Sequence, residues 1–498
     1  MGIVKSQAIK NSVFNYLGQV IGYVNVIILF PILLTTEEFG LTRLLASISI
    51  IYAQLSSFGV QRVIIKFFPF FQTKEGADHN GFLPLMLFNV AIAFLVTSIG
   101  FWLIKDWLVA NQDSELFKSF YIVIPLLTAL TVTTWLFDSY LKSLLKTSFT
   151  SFLNNILLKL LWLGATLAYY YDLLSLEGFI WFYCSVHLVL ILCMVVYLIY
   201  LGQLFLKPNF YYYKWRILRM IYRYGAFSIL DNTNTALMNN VDKIMIGFLV
   251  MDDLKSVAVY AVANHLSGVV VIPSISMNRI LTPLISKYWK SKQRAKVEKV
   301  YAQSTLINLI LTGGLFVLVW VNINEILMLV DDNYSSGVYA ILFLMLSRFV
   351  SLSFGLNGDI LMVSKHYWFN TVSGIVLIGL MIVFNLIFIP TMGLVGAALG
   401  TFLARLFYNV IRFFFLLSKE QLNPFTTRNL VAFLVLLAGM IIGSSFELPA
   451  MHFAFSILIK SIVVSVVMFV PLFYFKISED LNQLVLDILA RARKTLKF

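Results

Sequence analysis

Charge is scarce in this sequence. Only 12% of its 498 residues are Asp, Glu, Lys or Arg, 60% are hydrophobic, and the mean hydropathy is +0.87. A soluble domain is about a quarter charged, so half that value excludes an ordinary core-and-surface protein. Acids are scarcer than bases, 24 against 37, for a net charge of +13. Such an excess can mark nucleic-acid binding. Here the cations fall in short segments between apolar runs of roughly 20 residues, which bilayer topology explains and nucleic acid does not. Cysteine is almost missing. Cys184 and Cys193 lie nine residues apart in one apolar run, on roughly opposite helix faces, so they can neither pair nor chelate. No Walker-type glycine loop is present, which excludes direct nucleotide drive within the chain. The first apolar run has no small-residue cleavage site and is expected to stay as a span. The opening Met1-Gly2-Ile3-Val4-Lys5-Ser6 fits a weak myristoylation pattern that a multi-spanning chain makes redundant.

What is abundant is long apolar runs. Candidate spans 1 to 14 lie near 12–34, 41–60, 82–104, 119–140, 149–171, 176–201, 225–250, 256–282, 303–323, 337–363, 367–389, 393–417, 428–446 and 453–475. Each can cross a hydrocarbon core of about 30 Å as a helix. None shows the two-residue alternation of barrel strands, so the expected fold is an all-α polytopic membrane protein of about fourteen transmembrane helices. The loops alternate in charge. One set holds Lys5, Lys10, Lys66, Lys74, Lys142, Lys146, Lys207, Lys214, Arg216 and most other loop cations; the other holds Glu37, Glu38, Asp113, Glu115, Asp172, Glu177, Asp252 and Asp253. The positive-inside rule places both termini in the cytoplasm.

The chain reads as two six-span halves and an appendage. Residues 1–206 carry spans 1–6, 207–224 form a basic amphipathic linker, and 225–418 carry spans 7–12. Spans 13 and 14 fill 419–476, and 477–498 reads as an amphipathic surface helix capped by Ser478. Glu37-Glu38 and Asp252-Asp253 close the first span of each half, and Lys146 and Lys365 follow the fourth. Same-orientation repeats related by pseudo-symmetry about the membrane normal are a transporter design.

Polar residues fall in stripes. Span 7 aligns Ser228, Asp231, Asn232, Thr235, Asn239 and Asp242; span 1 aligns Ser12, Asn15, Gln19, Gly22 and Asn25. Span 2 offers Arg43, Ser47, Gln54, Ser57 and Gln61, and span 8 offers Tyr260, Asn264, Ser267, Ser274 and Asn278. One such stripe is equally well interhelical glue. Four at repeat-matched positions suit the lining of a cavity between the lobes. Deep cations say more, because each costs a few kcal/mol on insertion. Arg43, Lys159, Arg348 and Arg405 are the candidates, and their excess over deep acids suits an anionic, phosphate-bearing substrate. Pairing with Asp231, Asp242 or Asp359 is the structural alternative. Arg279, Arg412 and Lys460 read as snorkelling cations near predicted cytoplasmic ends. His187 and His265 can relay protons, although a buried neutral role is the commoner one. No arrangement of catalytic groups emerges, and no enzyme is expected.

Several short motifs resemble one family. Asn15-Tyr16-Leu17-Gly18 with Leu34-Thr35-Thr36-Glu37-Glu38-Phe39-Gly40-Leu41 resembles the start of bacterial polysaccharide flippases, the O-antigen transporters of the multidrug/oligosaccharidyl-lipid/polysaccharide exporter superfamily. Gly59-Val60-Gln61-Arg62 to Lys66-Phe67-Phe68-Pro69 is similar, as are Asp242-Lys243-Ile244-Met245-Ile246-Gly247 and Tyr260-Ala261-Val262-Ala263. The resemblance implies two six-helix lobes, a cavity lined by spans 1, 2, 7 and 8, and alternating access. It implies an undecaprenyl-type diphosphate-linked oligosaccharide as cargo, moved from the cytoplasmic to the outer leaflet of a bacterial inner membrane. Drug-extruding relatives carry an acid in span 1, which this chain lacks.

The reading that results is a lipid-linked oligosaccharide flippase. Arg43, Lys159, Arg348 and Arg405 would attract the diphosphate, and Asn15, Gln19, Asn232, Asn239 and Asn264 would bond sugar hydroxyls. Asp231 and Asp242 would balance charge or couple to an ion. No cofactor is expected beyond an ion gradient or the membrane potential. Membrane lipids and a polysaccharide polymerase are the expected partners. The rivals are a small-solute or drug exporter of the same superfamily and, further off, a membrane glycosyltransferase or polymerase.

Overall fold

The computed structural model describes residues 2–73, 78–250, 253–328, 330, 332–446, 452–479, 482 and 483. These residues are overwhelmingly helical, and no strand occurs among them. Twelve helices are long and apolar enough to cross a membrane. One of them, Trp368–Glu420, is two spans joined through Gly393 (φ 57°, ψ −134°). Helix Trp215–Leu249, where span 7 is expected, is 35 residues long but falls outside the twelve, and it carries Asp231, Asp242 and Lys243. With Trp368–Glu420 counted as two, the twelve cover every expected span but the seventh, which falls on Trp215–Leu249.

Local chemistry sets the helix ends. Thr35 caps span 2: its Oγ1 accepts from Glu38 N at 3.3 Å, and Glu38 Oε2 accepts from Thr35 N at 2.9 Å. Glu38 is therefore a cap as well as a loop acid. Ser175 caps span 6 by accepting from Gly178 N at 3.1 Å. Breaks fall where hydropathy shows none. Span 2 is two helices, Thr36–Ser56 and Val60–Phe71, parted by Phe58 (φ 53°) and Gly59 (φ 63°) in the left-handed region. Span 10 is likewise Val338–Ser353 and Asn357–Val363, parted at Gly355. Spans 1 and 5 each contain a π-helical turn, Val24–Leu29 and Leu153–Leu157, a feature frequent at functional sites.

Two compact units divide the chain, Met1–Ala261 and Val262–Phe498. The 207–224 segment is a boundary of composition. The contact boundary comes later because span 7 packs along span 2. Helix Trp215–Leu249 begins ten residues before the apolar window, since hydropathy marks the bilayer edge and not the helix start. In the first unit span 2 is central, touching spans 3, 4 and 7, while span 1 lies on span 5. Its core gathers Phe67, Phe68, Phe71, Phe82, Leu136 and Tyr140. In the second unit span 9 is central, touching spans 8, 10 and 13, and span 14 lies on span 13. Small residues open that seam: a Cβ on Gly439 would strike Met468, and one on Gly443 would strike Val464 and Val321. Most of the expected 477–498 tail helix lies outside the described residues. Of its start, Glu479 Oε1 accepts from Arg428 Nη2 at 3.3 Å.

Candidate functional site: the intramembrane polar groups

Lys159 enters span 1 through a gap left by Gly22, while Asn155 fills the one beside Gly18. Its Nζ donates to the Gly18 carbonyl, and a Cβ on Gly22 would lie against that same nitrogen. Asn25 Nδ2 returns a bond to Lys159 O at 3.0 Å. Spans 1 and 5 are thus joined through the Gly18 and Lys159 carbonyls, close to the π turn of each helix. Asn15 and Gln19 lie half-buried on the same span.

Arg43 is held by aromatics. Its guanidinium lies 5.6 Å from the Phe30 ring centroid and 5.0 Å from that of Phe39, and Nη2 donates to Tyr183 Oη at 3.1 Å. Stacking suits a planar, weakly hydrated cation. Arg43 Nε is buried with no partner among the described residues.

On span 7 the stripe divides. Asp231 pairs with Arg62 Nη1 at 2.5 Å. Asp242 is buried and accepts from Tyr260 Oη at 2.6 Å. Asn232 is buried with its Nδ2 unpartnered among the described residues, while Asn239 is exposed and donates only to Thr235 O, 2.9 Å away on its own helix. Neither acid pairs with one of the four deep cations through these contacts. Asp359 accepts from Thr282 Oγ1 at 2.9 Å.

In the second unit the structure brings two predicted residues together. Arg348 Nη2 donates to Asn264 Oδ1 at 2.6 Å and to Asn264 O at 3.1 Å, and Nε donates to Ser267 Oγ at 2.9 Å. The same pattern recurs at Arg412. Its Nε donates to Ser373 Oγ at 2.9 Å and Nη2 to Asn370 O at 3.2 Å and to Asn370 Oδ1. An Asn and a Ser three residues apart sit on one helix face and offer three acceptors to a planar fork. Arg405 differs: its Nε is buried without a partner among the described residues.

Two snorkelling assignments are corrected. Arg412 is only 6% exposed, clamped as above with its guanidinium 4.1 Å from the Tyr408 ring centroid. Lys460 pairs with Glu325, just past span 9, at 2.5 Å, and Ser456 Oγ donates to the same carboxylate at 3.0 Å. Hydropathy could place both near a span end, but only packing shows which face they occupy.

The sequence reading missed Arg62, Tyr183 and Tyr260 as partners. Arg62 escaped because the stripe on span 2 assumed an unbroken helix, and the Phe58–Gly59 turn rephases everything after it. The Ser-Phe-Gly run was the available signal.

Residues 228–338 match the MatE family model. Similar solved folds include lipid II flippase MurJ in an inward closed conformation, with TM-score 0.73, 13% identity, and coverage of 94% of this chain and 100% of that one. An inward-facing multidrug resistance MATE transporter of the MOP superfamily gives 0.57 at 15% identity, covering 81% and 93%. A MATE in its bent conformation gives 0.51 at 15%, covering 82% and 94%. No curated protein sequence matches the chain. The chain shares its fold with lipid II flippase MurJ and the MATE transporters.

Proposed function

We propose that the chain is a flippase carrying an isoprenoid-diphosphate-linked oligosaccharide from the cytoplasmic to the outer leaflet by alternating access. One observation carries this reading. Arg43, Lys159 and Arg405, all within bilayer-crossing helices, form no ion pair with a described residue. A cation at such depth costs a few kcal/mol, and an anionic cargo would offset that cost. Guanidinium groups suit phosphate because two parallel N–H donors match two phosphate oxygens.

In this reading Arg43, Lys159, Arg348 and Arg405 attract the diphosphate. Asn15, Gln19, Asn232, Asn239 and Asn264 offer amides to sugar hydroxyls, and Asp231 and Asp242 balance charge or couple to an ion. An undecaprenyl-type carrier in a bacterial cytoplasmic membrane, with a polysaccharide polymerase downstream and both termini cytoplasmic, is the setting it requires.

The test is deletion of the gene with leaflet-resolved analysis of lipid-linked sugars, using an impermeant label. Accumulation on the cytoplasmic side with loss of surface glycan is expected, and Arg405→Gln should fail to restore export although it inserts normally. Unchanged leaflets and glycan would remove the flippase reading and leave export of a small solute by the same fold.

A further inference from the structure

Within the first unit, the second half of span 2 packs against the first half of span 7. Gly59, in its left-handed conformation, lies so close to Gly225 and Ser228 that a Cβ there would strike both. One turn on, Arg62 Nη1 meets Asp231 Oδ2 at 2.5 Å, yet the two side chains remain 43% and 28% exposed. One further turn on, the Lys66 ammonium lies 3.7 Å from the Tyr224 ring centroid. Lys66 is exposed and has no carboxylate partner among the described residues. Asp231 and Tyr224 are seven residues apart, so they share a face of span 7, as Arg62 and Lys66 share a face of span 2.

This ladder is unbalanced. Two cations share one face of span 2 beside a single acid of span 7, and that acid pairs with Arg62 through Nη1. From it we infer that Arg62 and Asp231 form an exchange site, in which a diphosphate displaces the Asp231 carboxylate from Arg62 and reaches Lys66. The inference rests on the flippase reading and names where the headgroup first binds. A substituted diphosphate carries two charges, and the two cations become its match once Asp231 is released. Side chains four residues apart on a helix have Cβ atoms about 6 Å apart, a spacing that two linked phosphates bridge. Arg62 can then exchange the Asp231 carboxylate for a phosphate, whose oxygens suit its planar fork, without ever being left uncompensated in a half-buried seam. Lys66 belongs to the loop set predicted to be cytoplasmic, the side from which such a cargo would arrive.

A purely structural latch between spans 2 and 7 would use the same two residues, and charge neutralisation separates the cases. If Asp231 competes with the ligand, Asp231→Asn should tighten binding while Arg62→Gln weakens it. If the pair is only a latch, breaking it from either side has the same effect.

The experiment titrates purified, detergent-solubilised full-length protein with farnesyl diphosphate, using farnesol as the control. Expected results are a clear preference of the wild type for the diphosphate, a loss of tenfold or more in Arg62→Gln, a several-fold loss in Lys66→Gln, and a several-fold gain in Asp231→Asn. Farnesol binding should not move. Lys66→Gln leaves the ion pair intact and serves if either pair variant fails to fold. A diphosphate preference with Arg62→Gln and Asp231→Asn shifted in the same direction, or with Lys66→Gln unchanged, overturns the exchange alone. Equal binding of farnesol and farnesyl diphosphate by the wild type overturns the diphosphate reading and the exchange with it.

Discussion

Each unit holds an ion pair between two helices at a nitrogen–oxygen distance of 2.5 Å, Arg62 with Asp231 in the first and Lys460 with Glu325 in the second. Distance does not distinguish them, but surroundings do. Glu325 and Lys460 are 11% and 16% exposed, with Ser456 bonding the same carboxylate oxygen as Lys460, whereas Arg62 and Asp231 are 43% and 28% exposed. A sealed pair cannot release one member without leaving a buried charge, so it acts as a staple between span 14 and the end of span 9. An open pair can be traded for another ligand. The arginine clamps of the second unit show a further option, in which Asn and Ser acceptors fix the guanidinium by geometry.

The largest expected effect breaks the staple. Glu325→Gln leaves Lys460 buried without its carboxylate and should cost about 3–5 kcal/mol, read as a lowered thermal midpoint in detergent. Replacing both partners by Leu and Met should recover most of it. A loss well under 1 kcal/mol in the single variant would erase the contrast with the open pair. The staple also predicts a pH dependence. Burial pushes the Glu325 carboxyl up, but hydrogen bonds from Lys460 and Ser456 outweigh this and hold it below its ordinary value. A lowered folded-state value means the stabilisation is complete above the unfolded carboxyl's range and is lost as pH falls through the folded one. Acid should therefore destabilise wild type more than Glu325→Gln.

Next comes the clamp. Arg412→Lys keeps the charge but cannot reach Ser373 and Asn370 together, and should cost roughly 2 kcal/mol in stability. Arg348→Lys should behave alike, because its acceptors have the same spacing. A large difference between the two would show that the shared Asn-x-x-Ser pattern does not set the energetics. Gly59→Ala places a Cβ in the left-handed region against Gly225 and Ser228 and should cost about 1–3 kcal/mol. That variant tests whether the turn on which the open pair depends is tightly specified. Smallest is the open pair itself: Arg62→Gln should change stability by under about 1 kcal/mol. A stability loss as large as that of Glu325→Gln would make Arg62–Asp231 a second staple.

Span number, the helical class, and the polar character of spans 1, 2, 7 and 8 were legible in the sequence, because hydropathy over about 20 residues is a one-dimensional property that lipid enforces. So was the scarcity of acids to match the deep cations. Partners were not legible. Nothing in the order of residues tells that Lys159 reaches Gly18, that Arg348 meets Asn264 and Ser267, or that Lys460 and Arg412 face inward. The Phe58–Gly59 turn shows why. Two left-handed residues rotate all that follows, so a stripe counted at about 100° per residue loses its phase, and Arg62 turns toward Asp231. Residue order sets which segments are apolar enough to cross a membrane and how much charge they carry. Which of those charges are sealed, clamped by neutral groups or left open is a matter of packing, since burial and contact depend on helices far apart in the chain.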